Sequence, residues 1–127
     1  MIPHNKEEII KGYILAYNSF NVDAMCIFLH PEIEFINIDK GEPNLTLNGI
    51  EAFKMQAEKA AGIFKTRNQE VTAIIYGDDH VEVDIDYSGI CAIDLPNGLK
   101  AGDSIEMKGK SVFQFRDGLI TKLVDMS

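Results

Sequence analysis

The second half of the chain reads as strand after strand. The stretches "RNQEVTAIIYG", "DHVEVDIDYSGICAID", "DSIEMKGKSVFQF" and "LITKLVDM" are separated by "GDD", "LPNGLKAG" and "RDG", turn compositions in which glycine takes positive φ without steric penalty. Four consecutive antiparallel strands are the economical arrangement. The first half is helical instead. From Lys6 to Phe20 the residues Ile9, Ile10, Tyr13, Ile14, Tyr17 and Phe20 recur at steps of three and four, which makes one apolar helical face. Asn21 offers an N-cap to a short second helix that Pro31 stops. A third helix is expected from Gly49 to Phe64, with Phe53, Ala57 and Phe64 on its apolar side. Between them "EIEFINID" reads as a strand and "KGEPNLTLNG" as a loop. Helices gathered ahead of a run of strands predict an α+β domain with the helices on one face of the sheet, and the 127 residues are expected to form a single domain, 1–127.

Alternation says which side chains face those helices. In "HVEVDIDYSG", Val81, Val83, Ile85 and Tyr87 alternate with Glu82, Asp84, Asp86 and Ser88, the pattern of a sheet wet on one face. On the next strand Ile105, Met107, Gly109, Ser111, Phe113 and Phe115 form the inward set, while Lys108 and Lys110 fall near the neighbouring acidic row. Clustered carboxylates are what a hard cation requires, but the nearby lysines make this row read as a solvated, charge-paired face, and no metal is assigned. Ser111 is the polar exception on the inward face. Beside Gly109 it leaves a gap bordered by Tyr87, Met107 and Phe113, either a pocket wall or a space filled by Phe53 or Phe64 of the third helix.

The charge balance narrows the partners. Twenty acidic residues against 12 basic ones give a net charge of -8, which repels phosphate backbones and anionic membrane surfaces. Neither nucleic acid nor membrane is an expected partner. The N-terminal stretch interleaves charges with its apolar residues, so it reads neither as a signal peptide nor as a membrane span, and a cytoplasmic location is expected. Cys26 and Cys91 lie far apart in apolar segments without metal-ligand spacing and read as free, buried thiols.

The order of elements, with "YILAYNSFNVDAMCIFLHPEIEFINID" at the front, "LNGIEAF" opening the third helix and "FQFRDGLITKLVD" at the end, resembles the nuclear-transport-factor-2-like superfamily. Within it the chain most resembles the SnoaL-like group, relatives of ketosteroid isomerases and polyketide cyclases. The resemblance covers nearly the whole chain. It implies a cone, a strongly curved and mostly antiparallel sheet wrapped around three N-terminal helices, with a hydrophobic cavity open at one end and usually a dimer. It leaves the activity open, because this fold carries isomerases, cyclases, dehydratases, epoxide hydrolases and plain binding domains. In ketosteroid isomerases a first-helix tyrosine and a protonated aspartic acid hold an oxyanion while a second aspartate moves the proton. By motif the tyrosine falls at Tyr13, the proton-moving aspartate at Asn37 and the protonated acid at Ser111. An amide cannot abstract a proton, and a hydroxyl is a weaker donor than a neutral carboxylic acid. The resemblance therefore disfavours the usual steroid-isomerase chemistry and leaves a polar patch of Tyr13, Asn37 and Ser111 in an apolar cone.

Asp125 is the remaining candidate for an inward carboxylate, and its direction hangs on "FRDGL". A two-residue type I′ turn on Asp117 and Gly118 sets Arg116 against Leu119, pointing Lys122 inward and Asp125 outward. A type I turn with a G1 bulge sets Phe115 against Leu119 and puts Thr121, Leu123 and Asp125 on the inward face. The second is preferred because it does not bury a lysine against Phe113. It leaves Ile120, Val124 and Met126 outside, where with Tyr76 and Val112 they suit a homodimer interface on the outer sheet face. Burial raises a carboxyl pKa, the direction needed by an acid or base near neutral pH. Asp39 is a second carboxylate candidate. His30 is expected at the end of the second helix, contacting its last carbonyls or taking part in chemistry, and His4 lies in a terminus expected to be loose.

The expected site thus has Asp125, Tyr13 and Asn37 as catalytic residues. Tyr17, Phe53, Tyr87, Met107, Ser111, Phe113 and Leu123 are expected to surround a small apolar or aromatic molecule, with no cofactor. Two functions fit these residues. One is an isomerase, cyclase or dehydratase acting on a cyclic carbonyl or hydroxyl compound by general acid/base chemistry; the other is a non-catalytic ligand-binding or dimerisation module with a filled pocket.

Overall fold

The computed structural model describes residues 6–127, and His4 lies outside them. Helices α1 (Lys6–Asn18) and α2 (Val22–Ile27) lead into β1 (Leu29–Asp39), β2 (Glu42–Asn48) and α3 (Ile50–Ala61). Then come β3 (Phe64–Tyr76), β4 (Val81–Cys91), β5 (Ser104–Arg116) and β6 (Leu119–Met126). The strands form one sheet in the order β2-β1-β6-β5-β4-β3, antiparallel except where β1 runs parallel to β6. This is the expected α+β class, a curved, mostly antiparallel sheet around three helices. The parallel pair makes the first and last strands neighbours and so brings Asn37 beside Asp125.

Periodicity explains how the helices dock. Ile9, Ile10, Tyr13 and Ile14 of α1 join Val81, Val83 and Ile85 of β4, Phe113 of β5, and Ile120 and Leu123 of β6 in one buried cluster. Asn21 caps α2 by accepting a hydrogen bond from the Ala24 amide at 3.0 Å. No helix among the described residues is long and apolar enough to cross a membrane.

Four local readings change. The segment expected as a loop after Asp39 contains β2, because Lys40 and Gly41 take φ of 54° and 82° in a tight turn and Leu45 and Leu47 then pair with Asn37 and Phe35. Pro43 is tolerated because β2 is an edge strand. The third helix stops at Ala61 and is capped by Gly62, so Phe64 opens β3 and packs by Gly89. Gly109 makes room for backbone instead of an aromatic ring: a Cβ there meets the Met126 carbonyl oxygen at 2.9 Å. Tyr76 pairs with Val81 and lies on the helix side of the sheet, away from the outer face.

The last hairpin combines the two turn readings. Asp117 and Gly118 have φ of 55° and 77°, and Arg116 pairs with Leu119, which is the type I′ register. That register alone sends Asp125 outward. One residue later the ladder shifts, from Phe115 opposite Ile120 to Gln114 opposite Lys122, leaving Thr121 as the extra residue of a bulge. The shift sets Leu123 opposite Phe113 and Asp125 opposite Ser111. Ile120, expected outside, is fully buried together with Leu123, and Lys122 pairs with Glu34 at 3.6 Å.

The outer face is charge-paired as expected. Lys110 Nζ lies 3.1 Å from Glu82, and Lys108 Nζ lies 3.1 Å from Asp86. Val112 and Val124 stand opposite each other, with Ile36 beside Val124, in an apolar strip across the same face.

Candidate functional site

On the inner face three polar side chains stand level across three adjacent strands. Asn37 of β1 pairs with Asp125 of β6, and Asp125 pairs with Ser111 of β5. The two positions at which the isomerase resemblance expects carboxyl groups therefore flank the one at which this chain carries a carboxylate. Ser111 Oγ donates to Asp125 Oδ1 at 2.6 Å, and no cationic side chain among the described residues pairs with Asp125. Burial disfavours its ionised form and raises its pKa to about 6, against the lowering effect of the Ser111 hydroxyl.

Asp125 sits where two cavities adjoin. An inner chamber of about 190 Å³ lies against α1, α3, β1 and β2, with Tyr13, Phe35, Leu47, Phe53 and Arg67 in its wall. An outer chamber of about 390 Å³ is bounded by Phe64, Ile85, Tyr87, Ile105, Met107 and Ser111. Tyr17, Asn37 and Asp125 belong to both walls.

Around the carboxylate the hydroxyls differ in availability. Tyr13 packs against Phe53 and Phe113, with ring centroids 6.5 Å and 6.2 Å apart, and its hydroxyl has no hydrogen-bond partner among the described residues. Burial, and then the charge of Asp125, hold its pKa well above the usual 10, so at neutral pH it is a hydrogen-bond donor. The Tyr17 and Tyr87 hydroxyls are bonded to each other at 3.0 Å. Asn37 Nδ2 donates to Asn44 Oδ1 at 2.8 Å, which holds the amide in place.

Of the residues expected at the site, Tyr13, Tyr17, Asn37, Phe53, Tyr87, Met107, Ser111 and Asp125 line one or both chambers. Met107 is 46% exposed and belongs to the rim. Phe113 and Leu123 line neither chamber, because they fill the core on the same face. Asp39 is exposed at the end of β1. His30 lies within β1, not at a helix end, and its Nδ1 accepts from the Glu32 amide. No group of three or more His, Cys, Asp or Glu among the described residues is placed to hold a metal ion.

Arg67 is the chamber residue that sequence reasoning missed. It is 4% exposed, and its Nε donates to the Tyr17 carbonyl at 2.9 Å. Its guanidinium lies 3.7 Å and 4.6 Å from the ring centroids of Tyr17 and Phe20. A charged residue at the head of a strand reads as surface. Counting back in twos from Val71, which pairs with the inward Ile85, was the available signal that Arg67 faces inward.

Comparison with known proteins agrees with this architecture. The sequence profile of the SnoaL-like domain matches residues 10–123, while no curated protein matches the chain. A candidate polyketide cyclase from Xanthomonas campestris pv. campestris superposes with a TM-score of 0.80 at 20% identity, over 95% of this chain and 88% of that one. IdmH, a candidate polyketide cyclase from Streptomyces antibioticus, gives 0.77 at 18% identity over 96% and 91%. A hypothetical protein of ketosteroid isomerase-like fold from Catenulispora acidiphila, in complex with trimethylamine, gives 0.75 at 17% identity over 93% and 83%. These identities speak for the fold. The profile spans nearly the whole chain, from α1 to the strand that carries the inner carboxylate, and the protein belongs to the SnoaL-like domain family.

Proposed function

We propose that the protein binds a small cyclic carbonyl or hydroxyl compound across its two chambers and moves a proton on it with Asp125, as a cofactor-independent isomerase, cyclase or dehydratase. The observation that carries this reading is a carboxylate in the wall common to both cavities, without a cationic partner among the described residues. Ionised Asp125 takes a proton from the carbon beside a carbonyl, and the Tyr13 hydroxyl donates to the oxygen on which charge develops. Protonated Asp125 then returns the proton to another ring carbon, or to a departing hydroxyl. A pKa of about 6 suits both steps, since the group is mostly ionised at neutral pH yet more basic than an ordinary aspartate. Ser111 orients the carboxyl and Asn37 stands beside it on the substrate side. The strip of Ile36, Val112 and Val124 supports pairing with a second copy through the outer sheet face.

One observation favours the alternative of a non-catalytic binding module. Ser111 with Asp125, Tyr17 with Tyr87 and Asn37 with Asn44 are satisfied by each other without any ligand. A thermal-shift screen against planar cyclic ketones, phenols and hydroxylated aromatics separates the two. A ligand at about a hundred times its dissociation constant adds roughly 2.7 kcal/mol. The enzyme reading expects hits whose affinity changes near pH 6 in the wild type and stays level in Asp125→Asn. Hits with the same pH dependence in both proteins speak for a binding module.

A further inference from the structure

We infer that the inner chamber is an anion receptor: the molecule held there carries a carboxylate or a similar planar oxyanion on its ring, and Arg67 receives it. This deepens the proposed function and rests on the same pair of chambers. Arg67 has five N–H donors, of which Nε is taken by the Tyr17 carbonyl. Its Nη2 is buried and has no hydrogen-bond partner among the described residues, and none of their acidic side chains forms an ion pair with it. An isolated charge in a protein interior is costly and is ordinarily offset by a partner. The faces of Tyr17 and Phe20 offset part of it. So does the Tyr17 carbonyl, which lies in the last turn of α1 at the negative end of that helix. Both leave Nη2 unbonded. A carboxylate, with two acceptor oxygens in one plane, matches the guanidinium fork.

The wider charge pattern makes this cation stand out. The chain carries a net charge of -8, and its lysines on β5 are engaged with Glu82, Asp84 and Asp86 on the outer face. Arg67 is instead on the chamber wall, which it shares with Asp125. Size agrees as well. A cavity of about 150 Å³ holds benzene, so an inner chamber of about 190 Å³ has room for one six-membered ring with a small substituent. The remainder of a larger molecule extends past Tyr17, Asn37 and Asp125 into the outer chamber. An acid group fixed at Arg67 then sets which ring atom faces Asp125.

Matched pairs test this directly: benzoate against benzamide and 4-hydroxybenzoate against 4-hydroxybenzamide, titrated calorimetrically into the wild type at about pH 7.5, where the acids are ionised. The acids are expected to bind at least about tenfold more tightly than the amides, and to shift the Arg67 Nε–H resonance in ¹⁵N NMR. Arg67→Lys keeps the charge but loses the fork, so it is expected to lose most of the preference while neutral phenols still bind. Should that variant fail to fold by circular dichroism, the wild-type pairs and the Arg67 resonance decide alone. Equal affinity for acid and amide, an unmoved Arg67 resonance, or no binding of any acid overturns the inference. Neutral ketones or phenols that bind with a pH dependence removed by Asp125→Asn, in a protein indifferent to the acids, overturn it while leaving the proposed function standing. Acids held by Arg67 with a pH dependence unchanged in Asp125→Asn support the anion receptor and count against Asp125 as the proton carrier.

Discussion

Glu82, Asp84 and Asp86 on the outer face of β4 and Asp125 on the inner face of β6 are the same chemical group set two strands apart in one sheet. On the outer face Lys110 reaches Glu82 at 3.1 Å, and hydrogen bonding and charge from that lysine lower the Glu82 pKa. On the inner face Asp125 has a serine hydroxyl for company, and burial raises its pKa to about 6. Parity decides which fate a carboxylate meets. On β6 that parity is set by one bulged residue, Thr121, between a type I′ turn and the last strand pairs.

Leu123→Ala is the harshest way to break the comparison. Leu123 is fully buried opposite Phe113, two residues before Asp125 on the inner face of β6, and the expected loss is about 3 kcal/mol or more in urea unfolding. Deleting Thr121 instead removes the bulge while keeping Lys122 opposite Gln114 and Asp125 opposite Ser111, so ligand binding is expected to survive it.

Asp125→Asn probes the inner carboxylate without disturbing the strand. Turnover is expected to fall by about 10²- to 10⁴-fold in a kinetic assay with a hit from the screen. Stability moves the other way. Between an unfolded pKa of about 4 and the folded value near 6, the native state holds more protons than the unfolded one, so wild-type stability falls as pH rises through that window. The penalty is complete above the folded value, on the order of 3 kcal/mol. Asn carries no such penalty, so denaturation curves from pH 4 to 7 are expected to favour the variant increasingly. For Glu82, whose pKa is lowered, stability is instead lost as pH falls through its folded value.

Smaller changes sharpen the contrast. Ser111→Ala removes the hydrogen bond that lowers the Asp125 pKa, so the acidic limb of the pH–rate profile is expected to move to higher pH. A stability loss of about 1 kcal/mol is expected alongside it. Lys108→Ala on the outer face removes an exposed pair with Asp86 and is expected to change unfolding free energy by less than about 0.5 kcal/mol.

The architecture was legible because Val81, Val83 and Ile85 alternate with acids and α1 repeats its apolar residues at helical steps; each pattern has one burial solution. β6 was harder. Ile120, Leu123 and Val124 give it apolar residues for both faces, so two registers were nearly equivalent, and the inward Asp125 came from a turn and a bulge acting together. β2 was hidden by Gly41 and Pro43, which mark loops except at a sheet edge. Phe113 and Leu123 were read correctly as inward, but alternation cannot distinguish facing a helix from facing a cavity. That distinction depends on where α1 and α3 cross the sheet. Arg67 escaped notice because charge at a strand end reads as exposure, while two aromatic rings and a helix carbonyl hold it inside.

The most direct measurement is a carboxyl ¹³C NMR titration of the ligand-free protein, with the Asp125 signal assigned by its disappearance in Asp125→Asn. A midpoint near 6, above that of Glu82, is expected if the inner carboxylate holds its proton almost to neutrality. A midpoint near 4, that of an ordinary aspartate, would mean that Asp125 is solvated like the outer acids and would contradict its role as the proton carrier.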